Sequence, residues 1–115
     1  MKHELIIAVV NRGFSELVIY SARTAGAKGG TILTARGTGT QEVRKLFGIS
    51  ADPDKELVMI LSSYAERNQI MTAICKATGL NTLGRGIVFS IPVDNVLGIS
   101  LGINDEKGQI PDGKK

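Results

Sequence analysis

One cysteine, one histidine, no tryptophan and no long apolar run: these shortages remove several function classes before any motif is read. Cys75 has no partner in the chain, so an intrachain disulfide and a thiolate metal cluster are both excluded. His3, the lone histidine, has no carboxylate cluster beside it, and no metal-ligand role is expected. With no second histidine to serve as base, no nucleophile finds a catalytic partner, and no catalytic residue and no enzymatic activity are expected. Three phenylalanines and two tyrosines are too few for a base-stacking platform. The formal charge of +3 comes from Lys and Arg scattered along the chain, not from a basic face, so a nucleic acid partner is not expected. No apolar stretch approaches the roughly 20 residues that cross a bilayer, and Met1 to Glu4 lead into a strand pattern with no signal-peptide organisation. Membrane insertion is not expected, and the cytoplasm is the expected location.

What the chain does have is glycine, 14 in 115 residues, concentrated where it can do chemistry. Between positions 26 and 39, Gly26, Gly29 and Gly30 read as the turn that ends a helix and starts a strand. Gly37 and Gly39 follow that strand, with Arg36 before them, where turning alone requires only one glycine. Bare backbone can present successive N–H groups to an anion, so this second pair reads as an anion cradle, with a simple hairpin turn as its alternative.

The periodicity orders the rest. Glu4 to Val10 is a β-branched apolar run, a buried strand. Phe14 to Ala25 has helical spacing, with Ser15 as its N-cap and Gly26 as its C′ residue. Thr31 to Arg36 is a second strand and Glu56 to Ser62 a third. Ala65 to Thr78 is a second helix, led in and capped by Ser62-Ser63-Tyr64 and closed by Gly79. Gly86 to Pro92 is a fourth strand, and Val96 to Leu101 is a candidate short fifth. Within the connector of residues 37–55, Gln41 to Phe47 is a candidate helical turn. The order β-α-β-β-α-β is the ferredoxin-like α+β sandwich, a four-stranded antiparallel sheet with two helices on one face. Several strands are apolar on both faces, so the helix-free face is expected to find a partner in a homo-oligomer. The expected domain runs over 1–103, with a polar tail over 104–115.

The motif Gly26-x-x-Gly-x-Thr-x-x-x-x-x-Gly-x-Gly39, followed by Thr78-Gly79 and by Gly84-Arg85-Gly86-Ile87-Val88-Phe89, resembles the PII signalling superfamily from Glu4 to about Ile99. The resemblance implies a homotrimer with an adenine nucleotide (ATP, ADP or AMP, with Mg²⁺ as a candidate co-ligand) in clefts between subunits. In that reading Thr31 lies near the base. Arg36, Gly37, Thr38, Gly39, Thr40 and Gln41 form the root of the T-loop, about residues 38–55, and Gly84, Arg85 and Gly86 cradle phosphates from the other side. The T-loop carries Val43, Leu46, Phe47 and Ile49 as an apolar patch for a protein partner, a membrane transporter or a metabolic enzyme in the manner of nitrogen regulation.

Gln41 matches the glutamine at the T-loop base, but Ile87 stands where the family has a lysine. Gly98 and Ser100 stand where it has arginines, and the loop lacks the tyrosine modified in nitrogen-regulatory members. These departures favour a PII-like protein with altered ligand preference, ADP or AMP. Arg36 and Arg85 remain open to solvated roles, and Lys55-Glu56 reads as a strand-start charge pair. The alternatives are a nucleotide-free trimeric module of the copper-tolerance-like branch, or an acylphosphatase-like hydrolase using Asn11-Arg12-Gly13 as its cradle.

Overall fold

The computed structural model describes residues 2–37, 54–80 and 86–98. Strand β1 (His3–Asn11) leads to helix α1 (Ser15–Thr24), β2 (Thr31–Arg36) and β3 (Asp54–Ser63). A 3₁₀ turn (Tyr64–Glu66) then runs into α2 (Arg67–Thr78), and β4 (Gly86–Val93) completes the order. The sheet order is β2-β3-β1-β4 with every neighbouring pair antiparallel. This is the expected ferredoxin-like sandwich, and β2 has the expected bounds.

Burial alternates along β1 residue by residue. Ile6, Ala8 and Val10 point to the helices and are at most 1% exposed; with Val58, Ile60, Val18, Ile70 and Ile74 they form the core. Leu5, Ile7 and Val9 point the other way. Their register partners Leu61, Met59 and Leu57 on β3 and Ile91, Phe89 and Ile87 on β4 share that face. No described helix covers it, and Phe89 and Ile91 are exposed. The strands read as continuous apolar runs because both faces are apolar, and the described helices pack only one of them.

Local chemistry sets the ends of the helices. After α1, the N–H of Gly26 donates to Arg23 O and that of Ala27 to Ala22 O, a Schellman pair with Gly26 at φ +120°. Gly79 closes α2 in the left-handed region at φ +73°. The Ser63 hydroxyl accepts from the Glu66 N–H at 3.2 Å, which caps the 3₁₀ entry to α2 as the Ser62-Ser63-Tyr64 run foretold.

Two expectations are corrected. Ser15 is not the N-cap of α1: the cap position is Phe14, whose side chain cannot accept a hydrogen bond. Residues 94–98, including the first three positions of the candidate fifth strand, adopt no strand. Positions 99–101 of that strand, the helical turn over Gln41–Phe47 and the tail over 104–115 lie outside the described residues.

Gly86 shows why a glycine can be fixed by packing alone. At φ +122°, a Cβ there would overlap the Val9 carbonyl oxygen of the paired strand. Gly86→Ala is therefore expected to lose about 2 kcal/mol or more of stability. Urea unfolding at fixed protein concentration reads the loss, and a change within about 0.5 kcal/mol of wild type would show that β4 can shift away from β1.

Candidate functional site

Of the sequence-derived site residues that the structure describes, Arg36, Gly37 and Gly86 lie at one end of the sheet. Arg36, the last residue of β2, pairs with Asp54, and Gly37 follows it. Two residues further in, Glu56 lies opposite Thr34 on one side and Val10 on the other, and Val10 pairs in turn with Gly86. Gly86 is thus level with Thr34, two residues short of Arg36, and Arg36, Gly37 and Gly86 share an end of the sheet but not an edge. β2 and β4 are its two opposite borders, separated by three strand spacings, roughly 14 Å. Thr31 stands at the far end of β2, five residues or about 17 Å from Arg36 and on the opposite face by strand alternation. Thr38, Gly39, Thr40, Gln41, Gly84 and Arg85 lie outside the described residues, as do Val43, Leu46, Phe47 and Ile49. The described candidate residues Arg36 and Gly86 therefore stand on opposite edges of the sheet.

The charges at this end are largely organised by the protein itself. Arg12 pairs with Asp54 at 3.2 Å, both side chains half exposed or more. Lys55 is buried, and its ammonium donates to Asn11 Oδ1 at 2.7 Å. Glu56 Oε1 accepts the backbone N–H groups of Gly13 at 3.0 Å and Ser15 at 3.2 Å. Lys55-Glu56 is thus not an ordinary strand-start pair: Lys55 bonds Asn11, its cross-strand partner at the end of β1, and Glu56 ties β3 to the turn that follows. The contacts span more than 40 residues of sequence, so neither charge pattern nor spacing signals them; the apolar residue at the cap of α1 is the one local hint. By contrast, the Arg36 guanidinium is exposed and makes no ion pair or hydrogen bond among the described residues. It is a cation available to an anionic ligand at the root of β2.

Asn11-Arg12-Gly13, the cradle an acylphosphatase-like hydrolase would require, is occupied from within. Arg12 N–H donates to Asp54 O, Gly13 N–H to Glu56 and Phe14 N–H to Asn11 O. The backbone N–H groups of Arg12, Gly13 and Phe14 are thus committed within the chain, which weighs against the hydrolase alternative. Among the described residues no group of three or more His, Cys, Asp or Glu could hold a metal ion. No described helix is long and apolar enough to cross a membrane. An open groove of about 610 Å³ runs along α1 past Tyr20, Arg23 and Lys28, and it includes none of the sequence-derived site residues.

The family model for the nitrogen regulatory protein P-II matches residues 3–102. The chain belongs to that family. No curated protein matches it, but solved structures agree on the P-II fold. The structure of Arabidopsis thaliana PII bound to citrate aligns with a TM-score of 0.67 at 19% identity, over 94% of this chain and 87% of that one. The B. subtilis GlnK-ATP complex aligns with the same TM-score at 16% identity, over 94% and 91%. At such identities the fold is shared while individual side chains differ, which is why each site residue of this P-II protein is argued from its own surroundings.

For Glu56, partial burial alone would raise the carboxyl. The Ser15 hydroxyl, the Gly13 and Ser15 N–H groups and the Arg12 charge outweigh it and hold the group below its ordinary value of 4.5. A carboxylate depressed in the folded state contributes stability that is complete above its unfolded value and disappears as pH falls through the folded one. The stability advantage of wild type over Glu56→Gln should accordingly be present at pH 7 and shrink once pH drops below 4.5. Urea midpoints measured down the acid limb decide the point; a difference independent of pH would remove the charge from the account.

Proposed function

We propose that this P-II protein is a signal-transduction module that binds an adenine nucleotide between subunits of a homotrimer. Residues 38–55 then engage or release a protein client, a membrane transporter or a metabolic enzyme. The observation that carries this reading is the placement of Arg36 and Gly37 and of Gly86 at one end of the sheet but on opposite edges. The helix-free apolar face favours association, and association in a ring sets the β2 edge of one subunit beside the β4 edge of the next. A cleft between them takes Arg36 and Gly37, with Thr38 to Gln41, from one side and Gly84-Arg85-Gly86 from the other.

The described half fits an anionic ligand, since Arg36 is exposed and without a described partner at the point where the glycine pair begins. The nucleotide, when bound, would supply charge and contacts at the loop root, and those contacts can offset the entropy of ordering a segment of this length. Arg85 replaces the cation that Ile87 does not provide. The protein is read as a regulator rather than an enzyme because the P-II family match favours a signalling role. The copper-tolerance-like alternative draws no support from the two glycine loops, and the family match favours the P-II reading over it.

Calorimetric titration with ATP, ADP and AMP, with and without Mg²⁺, tests the cleft. Saturation near one nucleotide per subunit is expected, with Arg85→Ala weakening it about tenfold or more through loss of a charge-assisted hydrogen bond. Absence of binding by all three would overturn the nucleotide assignment. The assembly is tested separately by light scattering, which should give a mass three times that of the 12.2 kDa chain. Phe89→Asp, which sets a charge on the helix-free face, should yield smaller species and abolish nucleotide binding with them. A trimeric Phe89→Asp variant would show that this face does not carry the assembly.

A further inference from the structure

We propose that Glu56 and the Arg12–Asp54 pair form a latch that fastens the β1–α1 turn to the first residues of β3, so that these two segments open and close as one unit. The proposal stands on geometry and is independent of any ligand. Helix α1 begins after Phe14, a residue with no capping oxygen, so the orphan N–H groups at its start have no local acceptor. The acceptor arrives from 41 residues away: Glu56 Oε1 receives both Gly13 N–H and Ser15 N–H.

Around that carboxylate, three further links run between the same two segments. Arg12 N–H donates to Asp54 O at 3.3 Å, the Arg12 guanidinium pairs with the Asp54 carboxylate, and the Lys55 ammonium reaches Asn11. Three consecutive residues of β3 thus each grip a residue of the stretch 11–15. Asp54 is also the point where β3 pairs with Arg36, the last residue of β2. A displacement at the base of the 38–53 segment therefore cannot leave the first turn of α1 untouched without breaking the latch. In this way the exposed outer side of α1, which includes Glu16 and Tyr20, is tied to the loop base across the molecule.

The charged group that acts on Glu56 is Arg12 from the turn; Asp54 and Lys55 neighbour it along its own strand, and Glu16 follows Ser15 in the first turn of α1. The low carboxyl value of Glu56 agrees with a docked anion. Local opening of such a unit costs less than global unfolding, and amide exchange reads the difference.

The test is amide exchange at residue resolution, by NMR, on wild type, Glu56→Ala, Glu56→Gln and Arg12→Ala. In Glu56→Ala the amides of Arg12, Gly13 and Ser15 should exchange about fivefold to tenfold faster, the equivalent of a lost cap. The amides at the start of β3 should accelerate by the same factor, while those of Ile6, Ile60, Ile70 and Ile74 stay at wild-type rates. Glu56→Gln keeps an acceptor oxygen and should fall between. Arg12→Ala should accelerate both segments together by a smaller factor. Acceleration confined to Gly13 and Ser15 would reduce Glu56 to a simple cap and overturn the latch, as would unchanged rates throughout. Should Glu56→Ala fail to fold, the wild-type acid titration decides. A latch requires Gly13, Ser15 and the β3-start amides to shift along one curve, and separate curves refute it.

Discussion

The constraint on which the rest depends is a four-stranded sheet that is apolar on both faces and covered by helices on one. Within a single chain, two helices satisfy Ile6, Ala8, Val10, Val58 and Ile60 completely. They leave Leu5, Ile7, Val9 and their β3 and β4 partners for something else to cover. That uncovered face sets the terms for function. In the proposed assembly it is the face that a second copy covers, and the two sheet edges, which lie on opposite borders of one chain, become halves of a site.

Glycine plays two distinct parts in this chain. At Gly30 and Gly86 a side chain would strike neighbouring atoms, Ile19, Ile60 and the Met59 carbonyl in one case and the Val9 carbonyl in the other. These positions are explained by packing whether or not a ligand exists. Gly86 therefore does not by itself argue for a phosphate cradle, even though it ends the Gly84-Arg85-Gly86 run. The functional argument rests more heavily on Arg36, exposed and without a described partner at the loop root, than on the glycine count. Charge at the same end of the sheet has likewise been divided: Arg12, Lys55, Asp54 and Glu56 hold the scaffold, and Arg36 does not.

Much of the architecture was legible in the sequence because its signals are local. The β-branched runs, the helical spacing of Val18 and Ala22 or of Ile70 and Ile74, and the helix-ending Gly26 and Gly79 all act within a turn or two of chain. The missed features are those made by contacts distant in sequence. Ser15 has the chemistry of an N-cap, yet a carboxylate 41 residues on took that role, which moved the helix start and left Ser15 a buried donor. Lys55 and Glu56 look like solvated charges because the partners that bury them lie on β1 and the turn after it. Of the site itself, the motifs singled out Arg36, Gly37 and Gly86 but could not reveal that they occupy opposite borders of the sheet, since strand order is a property of the whole fold.

The central claim is that the β2 root of one subunit meets the β4 edge of its neighbour. Cross-linking addresses it most directly: a short bis-maleimide applied to an Arg36→Cys, Arg85→Cys protein in which Cys75 has been replaced by serine. The account predicts covalent dimers and trimers on a denaturing gel, with each single-cysteine protein remaining uncross-linked. Products confined to the monomer would place both cysteines within one chain's reach and contradict a site shared between subunits.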